Sequence, residues 1–520
     1  MPLPARPRVL VVGAGHNGLV CAIRLARAGL DVTVLEQAPR PGGATSTTEA
    51  TLPGYRHDHC AGFNPLTLAS PAFAELALED DGLEWVVPDV AMAHPLEDGR
   101  AIALHRDVGA TAASLDAAAP GAGAAWSALV GRTLPHADRL VRSILAPLPP
   151  LAGPARLALA WRRFGVELLR RGIGSVEAFG RDVFDGAAEP TAWLASSAQH
   201  SGLPPSAAGS GIFGFMLQLL GHAHGWPLPR GGQGAVAAAL VRRLEREGGG
   251  VRCEAPVDAV VVRAGRAAGV RLRGGEELAA DAVVTTVSAG VLARLLPAGA
   301  LPGRLERRLA RWRYGTGAFK VDYALAAPVP WAAPEARAAG VVHVAGSLRE
   351  LALAAEDAHR GDVPRRPALV VGQHSLFDAT RAPAGGHTLY VYAHVPPQHD
   401  CPDADVAARV EAQLDRFAPG WRAHVLARRV RPPAQTEREN PSLVGGDLAG
   451  GTSELDQQLV FRPAPELCRH RTPLRGLYVA GASVHPGGAV HGMSGRGAAR
   501  AVLADRAPLR LGALRYAGKG

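Results

Sequence analysis

Gly13, Gly15 and Gly18 stand in the spacing G-x-G-x-x-G between an apolar run and an Ala/Leu-rich stretch, and Glu36 closes the next apolar run. Those residues in that order can hold the diphosphate of a dinucleotide. Gly13 permits a tight turn, Gly15 lets the backbone approach phosphate at a helix N-terminus, and Gly18 lets that helix pack closely on its strand. Glu36 can accept hydrogen bonds from ribose hydroxyls, and its charge repels a 2′-phosphate, which disfavours NADP. His16, Asn17 and Gln37 adjoin these positions and complete the expected contact set. Six residues after Glu36, Gly42, Gly43, Ala44 and Thr45 offer a second small-residue loop to wrap the diphosphate. Near the other end, residues 476–499 read as strand, glycine loop and helix, so a second helix N-terminus is expected at the ligand.

Residues that could do more than bind are fewer. Lys320 and Lys519 are the only lysines beside 54 arginines. Lys320 lies on an expected strand in GTGAFKVDYALAAPVPW, with Trp331 eleven residues on. A buried lysine has a lowered pKa and can move protons; the plain alternative is a solvent-facing side chain on an alternating strand. His485, in HPGG, and His491, in VHGMSG, are the other catalytic candidates, with loop packing through hydrogen bonds as their structural alternative. His57 and His59, like His222 and His224, lack a third ligand at sensible spacing, so no metal site is expected.

The elements that must position these residues follow from periodicity. Residues 8–13 read as a strand, 17–28 as a helix closed by Gly29, and 31–36 as a second strand. Residues 72–225 read as mostly helical. Sheet resumes after the loop PLPRGGQG and a helix through Leu244, with strands near 256–262, 269–272 and 280–287 and a helix start at 290–296. Residues 318–325 and 367–394 are β-rich, and the last 80 return to glycine loops, a strand at 476–480 and a terminal helix. No internal repeat and no second complete G-x-G-x-x-G unit for NAD(P)H is found.

Composition narrows the class. With 47% hydrophobic and 20% charged residues the chain is globular. Its net charge of +9 is spread along the sequence, so a nucleic-acid partner is not expected. Five scattered cysteines form no C-x-x-C, which excludes a redox disulfide or zinc ribbon and fits a reducing, cytoplasmic setting. The short basic lead-in and the glycines that follow it do not read as a signal peptide, so none is expected, and no run of 18 apolar residues occurs. The stripe Trp161, Phe164, Leu168 and Leu169 among arginines is a helix docking on its own core, a peripheral membrane contact or a homodimer face.

The segments GAGHNGLVCAIRLARAG, E-x5-GG, PRGGQGAVAAAL and LYVAGASVHPGGAVHGMSGRGAA together resemble the phytoene-desaturase-like branch of the flavin amine oxidase superfamily, nearest its pyridine nucleotide-disulfide oxidoreductase domain-containing members. The resemblance covers roughly 200 residues, at both ends and in a middle block. It implies an α/β fold: a Rossmann-type, glutathione-reductase-like FAD-binding domain (1–75, 225–300 and 440–520) and a discontinuous α+β substrate domain (76–224 and 301–439). It further implies FAD as cofactor, with Val257 at the adenine and Gly481, Ala482, Gly492 and Met493 beside the flavin. Cys60 stands where a glycine is common in the family.

The expected activity is dehydrogenation or desaturation, or its reverse or an isomerisation, of an apolar, polyene- or isoprenoid-like substrate, with oxygen or a quinone as electron acceptor. The alternatives are an amine oxidase, for which seven tyrosines make an aromatic cage scarce, and a non-catalytic binding or assembly protein stabilised by FAD.

Overall fold

Short apolar, β-branched runs buried on both faces are what a helix-covered parallel sheet requires, and RVLVV, DVTVL and AVVT form one. The structure, a computed structural model, describes residues 6–148 and 164–506; Trp161 and Lys519 lie outside them. Five parallel strands run in the order Leu477–Val479, Ala282–Thr285, Arg8–Val12, Asp31–Leu35 and Gly250–Arg252. The first helix, His16–Arg27, follows Arg8–Val12 directly, and the closing helix, Met493–Arg506, packs beside it. This is a Rossmann-type α/β unit, and a three-stranded antiparallel sheet, Val257–Arg263, Arg266–Leu272 and Glu277–Ala279, is inserted between two of its strands.

A second, seven-stranded sheet runs in the order Val425–Arg431, Gly317–Leu325, His387–Val395, Leu369–Gly372, Ala339–Val344, Val90–Pro95 and Ala101–His105. Alternation sorts its two faces. Phe319, Val321, Tyr323, Val391 and Ala393 join a core beneath the helix Asp403–Phe417. Ala318, Val370, Tyr390 and Tyr392 face the other way, into a core shared with the nucleotide-binding unit and the helices Ala188–Ala198 and Ser210–His224.

Residues 72–225 are therefore not simply helical. Val90–Pro95 and Ala101–His105 form a hairpin edge of this sheet, turned at Asp98-Gly99 with Gly99 at φ 86°. An Asp-Gly pair between apolar runs is a hairpin signal, outweighed in the sequence reading by the Ala-rich context. The β-rich stretch after Pro367 likewise holds two 3-10 turns, His374–Leu376 and Ala379–Arg381.

Candidate functional site

The first helix starts without a side-chain cap: Gly15, its N-cap residue, offers none, so the first-turn amides are presented to a ligand. Gly13 adopts φ 99°, and a Cβ there would fall 2.3 Å from Thr286 Oγ1. The two glycine loops form one cradle, because Gly42 N–H donates to Ala14 O at 3.0 Å and Gly15 bridges to Gly42. Thr45 closes it from within, fully buried, its hydroxyl donating to Gly42 O at 2.7 Å.

Glu36 lies at the end of the groove. Its carboxylate accepts from Ala14 N–H at 2.8 Å and Ala38 N–H at 2.9 Å, and each oxygen keeps a lone pair for a ribose hydroxyl. Ala255 N–H donates to Glu36 O at 2.8 Å, which brings Val257 to the same end. Gln37 points outward and is exposed.

The closing helix adds the second N-terminus. A Cβ on Gly495 would sit 1.9 Å from Asn17 O, so the initial turns of the two helices touch backbone to backbone. Asn17 serves this crossing, with its side-chain oxygen 3.4 Å from Gly495 N. Gly481 lies equally tight, its would-be Cβ 2.4 Å from Thr286 O, and Ser494 donates to Gly481 O at 3.0 Å. Arg462, buried, holds Ala482 O at 3.1 Å. Two adjoining helix N-termini with a carboxylate at the end of the groove fit the ADP half of FAD.

Both candidate histidines on this loop are tied to backbone. His485 Nε2 is 2.8 Å from Ala146 O. His491 Nε2 is 3.2 Å from Gly487 O, while its Nδ1 accepts from Met493 N–H at 3.1 Å. Burial, then His16, pulls the His491 pKa down to about 3, so it stays neutral and braces the loop. His16 is lowered to about 4, again by burial.

Lys320 is not solvent-facing: it is 3% exposed. Its ammonium donates to Asp322, two residues along the same strand face, and lies 4.4 Å from the centre of the Tyr390 ring. Burial lowers the lysine pKa against the pull of Asp322. Asp322 is itself buried, yet Lys320 and His57 hold it below the usual carboxylate range. His57 Nδ1 stands 3.4 Å from Asp322, whereas His59 turns to Glu439 at 3.3 Å, so the two histidines do not share a centre. Trp331 packs in the opposite core, donating to Gln373 at 2.9 Å, and takes no part beside Lys320. His222 accepts from Trp126 at 3.0 Å and His224 meets Asp138 at 3.0 Å.

A buried clamp joins the lysine face to the cofactor cradle. Asp58 accepts from Thr47 at 2.7 Å, from Gln233 N–H at 2.8 Å and from Arg381 at 2.9 Å. Arg381 also bonds Asp378, which takes Gly231 N–H at 2.7 Å. The PRGGQG motif is thereby fixed to the short ribbon that pairs Thr47 with Asp58 and to the 3-10 turn Ala379–Arg381.

The sequence reading missed this clamp and the ring cluster about Lys320. Tyr390 and Tyr392 lie opposite Asp322 and Lys320 on the neighbouring strand. The alternation YVYAH carried that signal.

Residues 18–503 match the family model described as flavin containing amine oxidoreductase. The chain is 28% identical to pyridine nucleotide-disulfide oxidoreductase domain-containing protein 2 of Rattus norvegicus, over 95% of this chain and 93% of that protein. It is also 28% identical to the zeta-carotene-forming phytoene desaturase of Myxococcus xanthus, over 92% and 90%. In fold it is similar to an oxidoreductase from Methanosarcina mazei (TM-score 0.64, 18% identity, 96% of this chain and 100% of that one). A putrescine oxidase triple mutant shares the fold at TM-score 0.61, with 16% identity over 96% of this chain and 99% of that one.

Proposed function

Because the chain belongs to the flavin containing amine oxidoreductase family, we propose that this FAD-dependent oxidoreductase acts on an sp³ carbon of an apolar, polyene- or isoprenoid-like molecule. The observation that carries the reading is the apolar, aromatic lining of the Lys320 face: Ala318, Val370, Tyr390 and Tyr392 are buried there together. Such a lining excludes water and binds hydrocarbon without directed polar contacts. The similarity to a phytoene desaturase supports the same substrate class.

When bound, FAD supplies a two-electron acceptor at flavin N5, with oxygen or a quinone taking the electrons onward. The chain's own part is to hold the cofactor between the two helix N-termini, keep the site dry, and keep one movable proton, on Lys320 Nζ, poised against Asp322. The same arrangement serves desaturation, saturation or isomerisation. The exposed apolar side chains Ile144, Val166, Leu169 and Ile173 give a membrane-dissolved substrate a surface from which to enter. Flotation of the protein with anionic liposomes, lost when Val166, Leu169 and Ile173 are changed to serine, tests that contact.

A second reading, oxidation of an amine, is favoured by Tyr390 and Tyr392 gathered about Lys320. One experiment separates the readings. The absorption spectrum from about 300 to 600 nm is recorded anaerobically before and after adding polyenes or amines; bleaching by a polyene supports the first reading and bleaching by an amine the second. A flavin that no donor bleaches points to a non-catalytic, FAD-stabilised binding protein.

A further inference from the structure

Across the cofactor-side face of the seven-stranded sheet, Lys320 stands opposite Tyr392, Tyr392 opposite Val370, and Val370 opposite His343. The 3-10 turn Gln199–Ser201 sets His200 between two members of that row. His200 Nδ1 lies 3.1 Å from Tyr392 Oη, and His200 Nε2 lies 3.0 Å from His343 Nε2. Ser196 Oγ, on the helix below, is 3.2 Å from His343 Nδ1.

The direction of every proton in this chain follows from one end. Ser196 donates its only proton to Trp193 O at 2.7 Å, and a carbonyl can only accept. Ser196 Oγ must then accept from His343 Nδ1–H. Desolvation by the surrounding protein keeps both histidines neutral, by crowding rings at His200, which drops to about 4, and by full burial at His343, which falls well below its ordinary value. A neutral His343 has a bare Nε2, which accepts His200 Nε2–H, and the bare His200 Nδ1 takes the Tyr392 hydroxyl proton. Tyr392 Oη is left as an acceptor.

Using the chain to store a proton is the competing role. It would place the charge on His343, which has no carboxylate partner among the described residues and already resists protonation, so acceptance of a hydrogen bond at Tyr392 wins. His200 is exposed although Trp226, His343 and Tyr392 crowd it, so it lines a recess and not the outer surface. On the neighbouring residues Gln199 and His394, which wall a small crevice, Gln199 Oε1 and His394 Nε2 are buried and unpartnered.

We propose that Tyr392, oriented by His200, His343 and Ser196, is a specificity-determining residue that accepts a hydrogen bond from a substrate hydroxyl beside Lys320, making the preferred substrate an apolar alcohol. The inference rests on the apolar-substrate reading above. The lysine one strand away disfavours an ammonium by like charge, whereas a hydroxyl donates without carrying one.

The test titrates FAD-loaded protein with geraniol, with its hydrocarbon counterpart 2,6-dimethyl-2,6-octadiene, and with geranylamine, following the shift of the flavin bands. Geraniol is expected to bind about 10-fold tighter than the other two, a factor in the range of one hydrogen bond. Tyr392→Phe is expected to bring geraniol to the hydrocarbon's affinity and leave the hydrocarbon unchanged. Equal binding of alcohol and hydrocarbon by the unaltered protein overturns the inference and leaves the apolar reading standing. Preference for geranylamine overturns it in favour of amine oxidation, and no shift with any of the three overturns both. Independently of any variant, nitrogen-15 spectra of histidine-labelled protein are expected to show His200 protonated at Nε2 and His343 at Nδ1; the reverse tautomers overturn the inference.

Discussion

Lys320 and Asp322 are both almost fully buried, and each is tolerable only because the other is there. Removing one partner leaves an uncompensated charge, while removing both leaves an apolar gap, so the two losses differ in kind. Lys320→Met is expected to lower the unfolding free energy by about 3–5 kcal/mol, and the double change Lys320→Met with Asp322→Leu to regain most of it. Urea unfolding with FAD in excess measures both; a double variant no more stable than the single one would refute the pairing. Lys320 could be singled out in the sequence by its rarity alone. Tyr390 and Tyr392 were equally legible, since period-two alternation puts them on one face, but a census of seven tyrosines hid them. His200 and His343 were not legible at all: they lie 143 positions apart and meet only because a turn between two helices docks on a strand. Glu36 was readable because its role is set by chain-local spacing, 18 residues past Gly18.

At the level of elements, the contact of the first and closing helices decides whether two N-termini can share one ligand. Gly495→Ala drives a methyl into Asn17 O and must part the helices. A loss of about 1–3 kcal/mol is expected, together with FAD that washes out on gel filtration. Unchanged retention of the cofactor in that variant would show that the crossing can give way. The clamp Asp58–Arg381–Asp378 is a second inter-element device, with Arg381 fully buried between two carboxylates. Arg381→Met should cost about 3–5 kcal/mol and loosen the PRGGQG loop, detectable as faster amide exchange at Gly231 and Gln233. The nucleotide-binding βαβ unit was legible because its signals are local: glycine spacing, apolar period and a C-terminal glycine. The hairpin at residues 90–105 was not, because its partner strand, Ala339–Val344, lies far along the chain and Ala-rich surroundings mimic helix.

For the molecule as a whole, acid is the expected weakness. His94, His374, His470 and His491 are buried, and burial pulls their pKa values to about 4, 3, 4 and 3. The unfolded chain takes up protons at these sites near pH 6.5, whereas the folded one refuses them. Stability is therefore full above 6.5 and is lost as the pH falls toward 4, at up to about 1.4 kcal/mol per pH unit for each histidine. Thermal melts in the presence of FAD should show a midpoint falling steeply between pH 6.5 and 5; a flat midpoint over that range would mean that these rings are hydrated. No helix among the described residues is long and apolar enough to cross a membrane.

The order of the parallel sheet has one more consequence. Its first strand pairs with Ala282–Thr285, which pairs with Leu477–Val479, and the helix that completes the diphosphate cradle ends at Arg506. A ribosome making this chain from its N-terminus exposes the G-x-G-x-x-G turn early and the strand and helix that finish the pocket last. Cofactor capture therefore waits until the strand Leu477–Val479 and the helix Met493–Arg506 have emerged, and until then the nascent sheet carries an open edge.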